Sequence, residues 1–259
     1  MQLIVVLATL VALTQAVPFA RRFGPRVVNG KDVKLGELPY QVALIARGHG
    51  FPDTYFCTGS ILNKYYVVTA AHCALAVLED MMYVVAGTVD LERYLWISKV
   101  EEAVVHPEFD MEHSISNDIA LLRVEEPFEF SETVSPVPLA ERGFETPAGT
   151  VATVSGWGYL KNGGKATTKL QRTNVLVASQ ELCNEIYSQS GMPIRDSQVC
   201  TFNPDVETGA CHGDSGGPLT IDGILVGVTS WGFECASKKW PAVLTRVSEH
   251  VDWINANAV

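Results

Sequence analysis

Short runs rich in β-branched and apolar residues recur along almost the whole chain, at 41–45, 65–69, 83–86, 119–124, 150–155 and 224–230, separated by turn-forming residues. Segments this short bury a face only by pairing with one another, so the pattern predicts an all-β barrel or sandwich. One helix is expected, at the C-terminus, where Val247, Val251 and Ile254 fall at i, i+4 and i+7 on a single face. Asn162-Gly163-Gly164 tolerates positive φ at neighbouring positions and marks a turn within an exposed loop over 159–168. No repeat, low-complexity segment or linker suggests a second domain.

The first sixteen residues contain the apolar run LIVVLATLVAL, no acidic residue, and the small-residue ending Thr14-Gln15-Ala16. The run falls short of the ~20 residues a membrane span needs, so residues 1–16 read as a secretory signal and the protein as secreted, with no membrane association. Residues 17–26 form a short basic piece ending in Gly24-Pro25-Arg26, a plausible cleavage site, which leaves 27–259 as the folded body. That body has 233 residues, within the reach of one all-β domain with a substantial core.

Six cysteines in a secreted chain of this kind suggest disulfides, and their wide spacing without a CxxC pair argues against zinc. Spacing alone leaves fifteen possible pairings open. The chain carries a formal charge of −10; residues 1–26 hold three arginines and no acid, so the body stands at −13. Such a surface repels phosphate backbones, which excludes nucleic-acid binding as a leading function.

The sharpest motif is Cys211-His212-Gly213-Asp214-Ser215-Gly216-Gly217-Pro218, a serine among glycines that leave room for a substrate carbonyl. A serine hydroxyl is a weak nucleophile and needs a base to take its proton. Thr69-Ala70-Ala71-His72-Cys73 offers a histidine just after a strand, and Asn117-Asp118-Ile119-Ala120 offers an acid at the start of another. Alone, each is bland: a lone histidine is usually structural, and an aspartate before a strand usually caps a turn. Together, in the order His, Asp, Ser, they closely resemble the chymotrypsin-like family of serine proteases. The resemblance spans nearly all of 27–259, including Arg26-Val27-Val28-Asn29-Gly30, Gly156-Trp157-Gly158 and Ser230-Trp231-Gly232.

The resemblance implies two six-stranded antiparallel β-barrels, with the active site between them and a C-terminal helix. It implies a catalytic triad of His72, Asp118 and Ser215, and an oxyanion hole built from the N–H groups of Gly213 and Ser215. It implies disulfides Cys57–Cys73, Cys183–Cys200 and Cys211–Cys235. It also implies a precursor activated by cleavage after Arg26, which would free a Val27 ammonium to pair with Asp214. The activating partner would then be a trypsin-like protease that prefers basic residues.

By the same resemblance, Gly209 stands at the base of the specificity pocket, Gly232 leaves its entrance open and Ala242 narrows it. With no carboxylate at position 209, cleavage is expected after Phe, Tyr, Leu or Met, with elastase-like cleavage after smaller apolar residues as the alternative. One methylene-scale difference is worth only ~1–3 kcal/mol of discrimination, too little to separate the two from sequence. Ser230, Trp231 and Gly232 would bind an extended substrate backbone, although the Trp231 side chain fits core packing equally well. His212 reads as pocket rim or as a solvated side chain. The segment 87–100 lacks a convincing pair of loop carboxylates, with Asp90 and Glu92 the nearest, so no cofactor, calcium or other metal is expected. Expected partners are protein or peptide substrates and protein inhibitors, and the expected state is a monomer. The architecture suggests digestion and resembles invertebrate gut chymotrypsins. A silent binding homologue is the contrasting class, which the intact triad disfavours.

Overall fold

The structure is a computed structural model that describes residues 28–48 and 52–259. Six strands close into an antiparallel barrel: β2 (Gln41–Ala46), β3 (Thr54–Ile61), β4 (Tyr66–Thr69), β5 (Met82–Ala86), β6 (Trp96–Val105) and β7 (Ala120–Val124), in the order β2-β3-β4-β7-β6-β5. Val42, Leu44, Val67, Val84 and Leu122 lie on one face of these strands and are buried in the main apolar core. Thr69 pairs with Ala120 at the end of the β4–β7 ladder. That register delivers α1 (Ala71–Ala74), which carries His72, and the turn that carries Asp118 to the same rim.

The second sheet runs β1-β9-β8-β11-β12-β13-β10, from β1 (Lys31–Asp32), β8 (Val151–Gly156), β9 (Gln171–Leu176), β10 (Gln198–Thr201), β11 (Pro218–Ile221), β12 (Ile224–Trp231) and β13 (Ala242–Arg246). Just beyond β9, Val177 bridges Thr201 of β10. Ala178 N donates to Cys200 O at 2.9 Å, and Phe202 N to Leu176 O at 2.9 Å. These contacts bring the two ends of the sheet together, so six strands curl into the second barrel while β1 is added outside β9. The expected double-barrel fold is the fold observed.

Helix α3 (Val247–Asn257) buries Val247, Val251 and Ile254 and packs against β12, as its periodicity predicts. Helix α2 (Gln180–Ser188) is not among the elements the sequence predicts; Ser179 caps it, its hydroxyl accepting Leu182 N at 3.1 Å, while Cys183 and Tyr187 face inward one turn apart. Disulfides join Cys57 to Cys73, Cys183 to Cys200 and Cys211 to Cys235, the pairing that the family resemblance implies.

Candidate active site

Asp118 is completely buried, and four donors converge on it. His72 gives its backbone N–H to Oδ1 at 2.9 Å and its ring Nδ1 to Oδ2 at 2.7 Å. Ser230 Oγ donates to Oδ2, and Thr245 Oγ1 donates to the backbone oxygen at 2.8 Å. Both oxygens of the buried carboxylate thus have hydrogen-bond partners. Because a carboxylate accepts only, the His72 proton sits on Nδ1 and the lone pair on Nε2 is left for chemistry. The turn before Asp118 is strained, with Ser114, Ile115 and Asn117 at φ of 62°, 48° and 53°. Asn117 is held there by Glu108 O at 3.0 Å and by His250 Nε2 at 3.1 Å.

Ser230 reaches Asp118 through an irregularity that the sequence does not announce. Along β12, pairing passes from Thr229 with Leu244 to Trp231 with Val243, so Ser230 is an extra residue in the ladder. A bulge of this kind re-aims a side chain, and here it turns the hydroxyl onto the carboxylate. Ser230, expected as a substrate-backbone residue, thus also supports Asp118.

The nucleophile loop is wedged against the first barrel. Gly216 has φ 75°, and a Cβ there would lie 2.1 Å from Thr69 Oγ1 and 2.4 Å from Thr58 O. No side chain fits between Ser215 and the strand end that leads to His72. Thr58 N adds a hydrogen bond to Ser215 O at 2.8 Å. Among the described residues the Ser215 hydroxyl makes no hydrogen bond, and His72 Nε2 lies 3.6 Å from Cys73 Sγ. Free enzymes commonly leave this link loose until substrate arrives.

Two peptide planes beside Ser215 are set by their carbonyls. His212 O accepts Tyr159 N at 2.8 Å, and Asp214 O accepts Gly217 N at 3.0 Å. In a trans peptide the N–H points opposite to the C=O, so the N–H groups of Gly213 and Ser215 turn away from these partners and are available to a ligand. Gly213, at φ 93°, occupies a region that favours glycine.

Asp214 is buried, its Oδ1 accepting Gly158 N and its Oδ2 accepting Cys211 N, each at 2.9 Å. Burial pushes its carboxyl up to about 6, against a smaller lowering by these two donors. The motif Gly156-Trp157-Gly158 has its explanation here: a Cβ on Gly156 would lie 2.1 Å from Asp214 Oδ1, and one on Gly158 2.6 Å from the carboxyl carbon. Val28 bridges Gly209, five residues before Asp214, whereas Arg26 and Val27 lie outside the described residues, as do the 1–16 and 17–26 segments.

A cavity of about 240 Å³ opens beside the nucleophile loop, lined by Ala210, Cys211, His212, Thr229, Ser230, Trp231, Gly232, Glu234, Cys235 and Ala242. Gly232 and Ala242 are among the lining residues, and His212 is an exposed one. Gly209, expected at the pocket base, is not among the lining residues, whereas Ala210 and Ala242 are. Among the described residues Glu234 is the only carboxylate on the wall; it is exposed and accepts Ser237 Oγ at 2.9 Å. Trp231 packs edge-on against Tyr187 at 4.7 Å and also lines the cavity. Cys57, His72 and Cys73 crowd together, but the two sulfurs are joined in a disulfide and offer no thiolate to a metal.

The family model described as Trypsin matches residues 27–254. Trypsin-1 of Astacus astacus is 37% identical over 248 residues, covering 90% of this chain and 100% of that protein. The vitellin-degrading protease of Bombyx mori is 34% identical over 90% of this chain and 85% of its own length. Trypsin zeta of Drosophila melanogaster is 36% identical over 98% and 95%, respectively.

Proposed function

The chain belongs to the trypsin family of serine endopeptidases, and from that membership we propose that Ser215, His72 and Asp118 cut peptide bonds through an acyl-enzyme, after apolar residues. The observation that carries the reading is the buried Asp118 carboxylate clamped to His72 Nδ1, which leaves Nε2 basic on the rim that also holds Ser215. His72 takes the Ser215 proton as the hydroxyl attacks the scissile carbonyl, then returns it to the departing amine. The N–H groups of Gly213 and Ser215 stabilise the oxyanion; loss of one such donor in related chemistry costs about 10²–10³ in rate. Water then repeats the cycle on the ester.

The pocket supports apolar specificity. Among the described residues its floor has no carboxylate, and a cationic substrate side chain buried there unpaired is expensive. Ala242 narrows the space, which keeps smaller apolar residues as the second reading. The names of the relatives describe those proteins; the preference inferred here rests on the lining of this chain's own pocket.

Activation by a protease that cuts after Arg26 fits the burial of Asp214 with only backbone donors among the described residues. A Val27 ammonium would neutralise it. Val28 already lies beside Gly209, in the strand-like approach to that loop. We propose that the protein is secreted and digestive, reading residues 1–16 as a secretory signal.

Incubating the activated protein with a peptide library should give cuts after Phe, Tyr, Leu or Met, and none from Ser215→Ala. Dominant cleavage after Lys or Arg would overturn the pocket reading. Turnover by Ser215→Ala would overturn the nucleophile.

A further inference from the structure

We infer that Gln198 is a positioning residue for Asp118: its amide holds the peptide planes on both sides of Ile115 and so fixes the strained turn that delivers the acid to His72. The inference rests on the proposed triad and adds a residue that neither the motifs nor the pocket contains.

Ile115 is where the turn is hardest to form. It has φ 48°, in the left-handed region, where a β-branched side chain is a genuine outlier. Ser114 at 62° and Asn117 at 53° share that region, but serine is unbranched and asparagine tolerates it. Such a conformation persists only where its surroundings over-determine it.

Gln198 supplies that constraint from the second barrel. Its Nε2 donates to Ser114 O at 2.8 Å and lies 3.4 Å from Ile115 O. The first oxygen belongs to the peptide before Ile115 and the second to the peptide after it. Holding both planes fixes φ and ψ of the residue between them. The N–H of the second peptide, Ser116 N, is taken by Asp110 O at 3.0 Å.

The amide is itself held in one orientation. Gln198 is buried, and its Oε1 accepts Arg195 N at 3.0 Å. A backbone N–H only donates, so Nε2 is the end that faces Ser114 O. Gln198 pairs with Thr245 across β10 and β13, and Thr245 Oγ1 donates to Asp118 O at 2.8 Å. Side chains of directly paired residues stand on the same face of a sheet. Two neighbours in the second barrel thus hold Asp118 and the turn that leads to it.

Gln198 touches no reacting atom, and neither Ser114 nor Ile115 lines the cavity beside the nucleophile loop. Its effect belongs in kcat. The test is Gln198→Met in the activated enzyme, which keeps the length of the side chain and removes the amide. With a single-residue anilide as substrate, we expect kcat to fall about tenfold and KM to stay constant, part of the ~10² that a 1 Å misplacement can cost. The same step is then made in an Ile115→Asn background, where the left-handed conformation no longer needs holding. There it should cost less than about a factor of two.

A general loosening of β10 would lower kcat equally in both backgrounds, and that result overturns the inference. So does a kcat for Gln198→Met within about a factor of two of the parent, or a loss confined to KM. Gln198→Glu keeps an oxygen for Arg195 N and removes the two amide protons. It serves if Gln198→Met does not fold, and the same two comparisons decide. Asp118→Asn run alongside keeps the two readings apart. Parental turnover in that variant would reveal failure of the triad assignment, whereas parental turnover in Gln198→Met alone sinks only the positioning role.

Discussion

A buried carboxyl group that meets only backbone N–H donors betrays itself in the pH dependence of stability. Burial raises the Asp214 carboxyl from the ordinary carboxylate range to about 6. Between those values the folded precursor holds a proton that the unfolded chain has released, so stability falls as pH rises through the window. The effect is on the order of 1–3 kcal/mol. In the uncleavable Arg26→Gln precursor, adding Asp214→Asn should therefore leave the urea midpoint unchanged near the bottom of the window. The double variant should then gain steadily on the single one as pH approaches 7. A constant gap, or one that widens towards acid, contradicts this account. In the cleaved enzyme an ammonium partner reverses the sign, and stability is then lost as pH falls. Single residues were unevenly legible. The motifs around His72, Asp118 and Ser215 are readable one by one, whereas the contact of Ser230 with Asp118 depends on which side chains two distant elements present to one another.

At the scale of elements, the loop over 87–95 shows how a segment is fastened with an internal cation. Asp90 pairs with Lys169 as an isolated bridge, Leu91 N donates to Thr168 O and Leu170 N to Val89 O, each at 2.8 Å. Lys169 Nζ reaches Asp90 Oδ2 at 2.5 Å, and Glu92 N caps Oδ1 at 3.2 Å. The Lys169 hydrogen bond is the main cause of the depressed Asp90 carboxyl. Its contribution is present above the ordinary carboxylate range and lost as pH falls through the lowered value. Lys169→Met should lower the thermal midpoint by a few degrees, while calcium followed by a chelator should leave the parent unmoved. A clear calcium-dependent rise in the parent would show that the loop binds the ion after all. The sequence named Asp90 and Glu92 as the nearest carboxylates, but not the lysine that stands 79 residues from Asp90. Strands were legible where apolar runs are unbroken, as in β4 and β5. β3, interrupted by Cys57, Gly59 and Ser60, and β6, carrying Lys99, Glu101 and Glu102, are strands because of their neighbours.

Across the whole molecule, each barrel holds a residue of the other's proposed triad. Ser230 and Thr245 of the second secure Asp118 of the first, and Thr58 of the first secures Ser215 of the second. Gln198 Nε2 donates to Ser114 O at 2.8 Å, and Ser155 Oγ to Gln41 Oε1 at 2.6 Å, both across the same junction. Strand content was legible from the chain, and the pairing into two barrels followed from the family resemblance. These cross-junction bonds were not legible, since they join residues 84 or more positions apart and follow no local period. They also make activity a report on docking. Loosening the junction misplaces both nucleophile and base before either barrel need lose its sheet, and a displacement of about 1 Å can cost about 10² in rate. In a urea titration, turnover of a small peptide should therefore vanish at or below the first change in tryptophan fluorescence or near-ultraviolet circular dichroism. Thr245→Val, which frees the Asp118 carbonyl, should move the loss of turnover to lower urea more than it moves the structural midpoint. Turnover that persists beyond the first structural transition would mean that one barrel carries the chemistry without the other.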